Sequence, residues 1–495
     1  MSDKIKSRLK IFHTSVADFF KQLKPMKKPF LILFIIFFIA IIPIIRANFY
    51  YIDDIGRSVF GYREWAKTFS RHLSDFFAVI MHTDMRVADI SPLTQLIAAV
   101  FMAASGAIIA YVFSDREKVS PLTLIAIIPM ALSPYFLECF SYKFDSPYMA
   151  MSVFVSILPL LFYEKHPAIY VSVSAVATVA MCSLYQPSSG IYPMLILFLC
   201  LRLWNNGGEN KKTLMLLIYS VAAFILGLLI FKLFLMKKVD TYTSTSMLPL
   251  KEIIPGFIKN ITAYYKLVLT QFRQLWLILT ALCVLAFIVV TAVNSTRNKL
   301  LSLGYSVLTL VLSAFLAFGV YPILSTPLFA PRAMYGFGVL LALICVGVCS
   351  SVRLRFMGIA SVALSWCFVV FAFMYGNALS VQKDYTEFRM QMVIEDLTHL
   401  DIVQTDCIKN LKFEGHIPKA PAVRNIQSTM LNTLVPNTFG GGWTWAQYYF
   451  FHHRDLKNVK QSDKLSVPTE QLELKVDTVY HTIYTDEQNI LVKLK

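Results

Sequence analysis

Residues 29–57 read PFLILFIIFFIAIIPIIRANFYYIDDIGR. Up to residue 47 the only charge is Arg46, and about 20 apolar residues are what a helix needs to cross the hydrocarbon of a bilayer. The run opens at once onto Tyr50, Tyr51, the adjacent acids Asp53 and Asp54, and Arg57. The rest of the chain repeats this pattern of apolar run and short polar turn. Further apolar segments fall at about 91–113, 121–137, 146–163, 167–185, 190–204, 214–236, 275–293, 300–319, 333–349 and 356–375, which with 29–47 makes eleven. Pro159, Pro187 and Pro193 interrupt the middle of the series, so tilted or broken helices lining a cavity are expected there. The composition agrees: 56% hydrophobic, 14% aromatic and 15% charged over 495 residues is too apolar for a soluble chain.

The formal charge of +16 invites a nucleic-acid partner until its distribution is read. Residues 1–28 hold eight Lys/Arg against Asp3 and Asp18, while the tail from Gly376 holds thirteen against fourteen acids. Positive charge gathers at membrane edges, where anionic head groups are its counter-charge, so no nucleic acid is expected. Short loops rich in Lys/Arg mark the cytoplasmic side. A basic N-terminal segment kept inside as an uncleaved anchor, followed by eleven spans, puts Arg116 with Lys118, Lys165, Lys211 with Lys212, Arg297 with Lys299, and Arg353 with Arg355 in cytoplasmic turns. The other face then receives 48–90, 138–145, 237–274, 320–332 and the tail. In the tail Val381, Tyr385, Phe388 and Met392 recur at helical spacing, and Leu472, Leu474, Val476, then Ile490, Val492 and Leu494, alternate as strands do. A small α+β domain over 376–495 is expected. Six cysteines lie in apolar runs, with only Cys139 and Cys407 expected near water.

Asp53 and Asp54 are the first candidates for catalysis. Like charges held close raise one pKa, which suits a general base near neutral pH; a solvated helix end or an ion pair with Arg57 is the structural alternative. In the turn FSYKFDSP (140–147), Asp145 can cap the next helix with Pro147 in its first turn, and Lys143 is placed to meet a phosphate at head-group depth. Tyr185 and Gln186 end another segment on that face, and Arg332 stands alone at the start of one, where it could snorkel or fork onto a phosphate. Trp443 and Trp445 follow three glycines in the tail. His82, Asp84, Arg86 and Asp89 lack metal-ligand spacing. No cofactor or transition metal is therefore expected, although Asp53 and Asp54 could hold a hard divalent ion. Phosphate-cradling glycine loops and nucleophile elbows are absent from the sequence.

Acids in the first outer loop of a many-span chain with an outer C-terminal domain resemble the type C membrane glycosyltransferases. Within that group, YIDDIGR (51–57), ADISPL (88–93) and YKFDSP (142–147) resemble the phage-type serotype-converting O-antigen glucosyltransferases. The resemblance is clearest over 40–200. It implies a bacterial inner-membrane enzyme, with 1–28 cytoplasmic, a transmembrane glycosyltransferase domain over 29–375 and the tail periplasmic. Such an enzyme moves glucose from bactoprenyl (polyprenyl) phosphate glucose to O-antigen repeat units of lipopolysaccharide, beside a companion flippase and a donor-synthesising enzyme. Read on that resemblance, Asp53 or Asp54 is the base, Arg57, Lys143 and Arg332 bind the donor phosphate, and Asp145, Tyr185, Gln186, Trp443 and Trp445 face sugar or acceptor. An O-antigen polymerase or ligase is the rival enzyme and a lipid-linked oligosaccharide transporter the rival outside catalysis. A transporter predicts charges in mid-span, and these spans carry almost none.

Overall fold

The computed structural model describes residues 23–116, 118–237, 246–351, 353–400, 408–442, 447, 450–451, 454, 456 and 458–495. Helices dominate. In chain order they are α1 (Lys27–Ala47), α2 (Asp53–Phe60), α3 (Trp65–Phe69), α4 (His72–His82), α5 (Leu93–Val112), α6 (Pro121–Leu132), α7 (Pro134–Ser141), α8 (Ser146–Ile157) and α9 (Pro167–Leu184). They continue as α10 (Ile191–Asn205), α11 (Asn210–Ile230), α12 (Ile253–Gln271), α13 (Gln274–Asn294), α14 (Lys299–Leu316), α15 (Gly336–Cys349), α16 (Ile359–His399), α17 (Pro421–Asn425) and α18 (Thr429–Leu434).

Lipid satisfies no backbone group, so each spanning segment must close its own hydrogen bonds as a helix. Among the described residues eight helices are long and apolar enough to cross a membrane, or nine when α6 and α7, bent by 60° at Ser133, count as one broken span. Two further apolar helices, Ser146–Leu161 and Gly336–Cys349, are shorter. All eleven expected segments are thus helical, but the length criterion supports eight or nine crossings. The chain is a membrane protein, and α1 shows how such a helix divides its surface. Leu33, Phe37, Ala40, Ile41 and Ile44 are buried, whereas Leu31, Ile35, Ile39 and Ile42 stay exposed on the opposite stripe.

Small residues let these helices approach closely. A Cβ at Gly376 would fall 2.5 Å from Pro43 and 2.6 Å from the Ile44 nitrogen, because α16 crosses α1 there. Gly376→Val should therefore lower thermal stability in detergent by about 1–3 kcal/mol, the usual range for overpacking; unchanged unfolding would show that the crossing can open without cost.

Short polar turns meet at one end of the bundle. There Arg116 pairs with Glu164 (2.7 Å), Arg202 with Asp115 (2.7 Å), and Arg297 donates to the Gly208 carbonyl (2.7 Å). At the opposite end lie α2–α4, the 142–145 turn and the start of α15.

The tail departs from its sequence reading in two ways. First, the final apolar segment does not stop at 375: α16 runs unbroken for 41 residues. Its buried stripe is Met390, Val393 and Leu397, while Val381 and Phe388 are exposed, so the expected stripe follows the wrong face. Second, the sheet has the order β2-β1-β5-β4-β3, built from β1 (Lys409–Glu414), β2 (Val459–Gln461), β3 (Glu473–Asp477), β4 (His481–Thr485) and β5 (Asn489–Leu494). β5 pairs parallel to β1 and antiparallel to β4 and is buried almost throughout, whereas edge strand β3 leaves Leu474 exposed. Neither strand alternates. Outside the tail, Cys139 on α7 is buried rather than near water; Cys407 lies outside the described residues. Arg389, itself buried, ties α16 to the sheet by donating to the carbonyls of Tyr480 and Lys495.

Candidate active site

The site starts where α1 ends. Asn48 and Ile52 both have positive φ, +46° and +43°, and for a β-branched residue such as Ile52 that conformation is strained by roughly 1–3 kcal/mol. Asp54 holds the turn in place. Its Oδ2 accepts from the backbone N–H of Tyr51 (3.0 Å) and of Lys143 (2.9 Å), and its Oδ1 from that of Phe144 (3.2 Å). One fully buried carboxylate thus joins the start of α2 to the 142–145 turn, 89 residues further on. Burial pushes its pKa up, and the three amides oppose that shift.

Successive helix residues point about 100° apart, so Asp53 faces elsewhere, into a cavity of about 630 Å³. Among the described residues its carboxylate has no hydrogen-bond or ion-pair partner. Its pKa is raised, first by burial and then by the Asp145 carboxylate, against Arg57, Arg332 and Arg71, which lower it. The like charge is therefore Asp145 rather than Asp54. Asp54 is turned to backbone amides, whereas Asp53 faces the cavity.

Asp145 sits at the first turn of α8 but makes no capping bond. Its Oδ1 accepts from Trp65 Nε1 (2.9 Å) and lies 3.2 Å from Arg57 Nε. Arg57 also stacks 3.8 Å from the Trp65 ring centre and donates to the Arg63 carbonyl (2.9 Å). Lys143 is likewise committed: its ammonium is buried, 2.7 Å from Asp89, bonded to Asn48 and 4.0 Å from the Tyr50 ring centre. Arg57 and Lys143 are absent from the cavity wall.

Arg332 does line it. Glu138 on α7 takes both the backbone N–H and the guanidinium of Arg332 (Nη1 to Oε1, 3.2 Å). The Tyr51 hydroxyl lies 3.4 Å from the same carboxylate while donating to the Leu434 carbonyl (2.7 Å), which connects the site to α18. Tyr185 and Gln186 share the wall with Arg71, whose Nε donates to Gln186 Oε1 (3.2 Å) and whose guanidinium lies 4.3 Å from the Tyr185 ring centre. The remaining wall is largely apolar, with Met149, Leu228, Phe231 and Leu328 among its residues. Trp443 and Trp445 lie outside the described residues.

Arg71 and Glu138 belong to the site without being legible as site residues in the sequence. Arg71 is one of several cations in a polar loop and nothing local distinguishes it. Glu138 did leave a signal: an acid flanked by Leu137, Cys139 and Phe140 has to be buried with a partner or removed from lipid.

Residues 42–343 match the family described as glucosyl transferase GtrII. The chain is also 26% identical over 443 residues, 85% of its length and 89% of the relative's, to an uncharacterized 55.3 kDa protein in the gtrB 5′ region of Salmonella phage P22. No solved structure matches.

Proposed function

Because the chain belongs to the glucosyl transferase GtrII family, and is thereby a glycosyltransferase, we propose that it moves glucose from a polyprenyl-phosphate glucose to O-antigen repeat units of lipopolysaccharide at the periplasmic face of the inner membrane. The observation that carries this reading is one cavity holding a carboxylate without a partner among the described residues, two arginines and a long apolar wall. The acceptor hydroxyl attacks C1 of the sugar and gives its proton to Asp53. The bond from C1 to the phosphate oxygen breaks, and its electron pair leaves with the phosphate. A phosphate leaving group needs cations more than a proton donor, and Arg332 and Arg71 stand there. The prenyl chain lies along Leu228, Phe231 and Leu328, and Tyr185, Gln186 and Asp145 face the sugar.

Orientation rests on the paired basic turns gathered at the end opposite the cavity, the distribution that cytoplasmic loops favour. If the bent pair and the two short apolar helices also cross, the spans number eleven, and the sheet shares the cavity's side. The donor then has to be made and flipped by partner proteins. Polymerase, ligase and transporter readings lose ground because the matched family is one of glucosyl transfer.

Donor class tests the reading. The purified protein should transfer glucose from polyprenyl-phosphate glucose and fail with a nucleotide-linked glucose; use of the nucleotide sugar alone would overturn it.

A further inference from the structure

Two lysines on the cavity wall have no part in the chemistry above. Lys232 and Lys237 stand at the end of α11, both exposed, and among the described residues neither ammonium has a hydrogen-bond or ion-pair partner. Their position runs against topology. Lys211 and Lys212 mark the other end of the same helix, and positive charge on both ends of a span is not what the orientation bias selects.

The backbone brings this pair to the cavity. Residues Phe231–Leu235 form a π-helical turn, closed by the Met236 N–H to the Phe231 carbonyl (2.9 Å); such turns recur at functional sites. Beyond that turn the backbone is extended at Met236, and Lys232 and Lys237 both reach the cavity wall. Ser70 Oγ then accepts from the Lys237 N–H (2.8 Å), and the His72 ring nitrogen Nε2 lies 2.9 Å from the Leu235 carbonyl. The segment fastened to Lys237 is therefore the one that carries Arg71.

We propose that Lys232 and Lys237 form a second phosphate station in the cavity, which receives the prenyl phosphate monoester released by transfer. The inference rests on the donor reading above. In the donor the phosphate is a diester with one negative charge. Transfer breaks the C1–O bond and leaves the electron pair on that oxygen, so the product monoester carries up to one more negative charge than the donor. Arg332 already has Glu138 as a counter-charge, whereas Lys232 and Lys237 have none among the described residues, beside an apolar wall that suits the prenyl chain.

The test is equilibrium binding to purified full-length protein in nanodiscs, comparing a prenyl phosphate with prenyl-phosphate glucose of the same chain length. Wild type should bind the monoester about tenfold more tightly, one charge-assisted contact's worth. The Lys232→Gln/Lys237→Gln pair should lose that preference and the Lys232→Arg/Lys237→Arg pair should keep it. A wild type without preference, or a preference surviving the Gln pair, overturns the station. Simple head-group snorkelling predicts the latter result. Transfer measured on the same wild-type preparation separates the two claims: its absence would overturn the donor reading, and the binding comparison would still decide the lysines.

Discussion

Asp53→Asn is expected to lower glucosyl transfer by about 10²-fold or more at an unchanged level of membrane-inserted protein. Asn keeps the shape and removes the base, and since the Asp53 carboxylate has no partner among the described residues, little structure depends on its charge. Asp54→Asn should behave differently. Its carboxylate serves three backbone amides, and a buried donor left without an acceptor costs about 1–3 kcal/mol. That variant should lose thermal stability and insertion yield before it loses specific activity. Equal loss of activity per inserted protein in both variants would contradict the division of roles. The pH profile supplies a second check. A base must be deprotonated, and burial with Asp145 nearby raises the Asp53 pKa, so kcat/KM should fall with acidification at a pH above the ordinary carboxylate range.

Arg332→Ala should weaken donor use tenfold to a hundredfold, as the loss of a charge-assisted bond of about 1.5–3 kcal/mol requires. Arg332→Lys should rescue it in part, because an ammonium cannot fork onto phosphate. Glu138 fixes Arg332 through backbone and side chain together, so Glu138→Gln, which still accepts the N–H, should raise the donor KM less than Glu138→Ala. Kinetics with varied donor at fixed acceptor, normalised to membrane protein, measure all four. A silent Arg332→Lys with an Arg332→Ala that only lowers protein level would mark head-group snorkelling instead.

The helical segments were legible because lipid imposes a single rule on them: length and apolarity. What that rule does not encode was lost. Nothing in residues 121–141 alone says that Ser133 and Pro134 bend the chain by 60°, nor that α16 continues past Gly376 to His399. The sequence singles out Asp53 and Asp54, and with them Arg332, Tyr185, Gln186 and Asp145, all of which except Asp54 reach the cavity. It could not divide the pair, since Asp54 takes its amides from a turn 89 residues away. For the same reason Arg57 and Lys143 read as free cations. Asp145 and Asp89, 88 and 54 residues distant, neutralise them, and only the folded chain shows that pairing.

Glucose transfer from a lipid-phosphate donor to O-antigen is the reaction proposed for this cavity. Its most direct test is to incubate the purified protein with polyprenyl-phosphate glucose and a lipid-linked O-antigen repeat and to weigh the glycan by mass spectrometry. One added hexose is expected with wild type and none above background with Asp53→Asn. A glycan unchanged by wild type, or one that gains the hexose equally with Asp53→Asn, would contradict it.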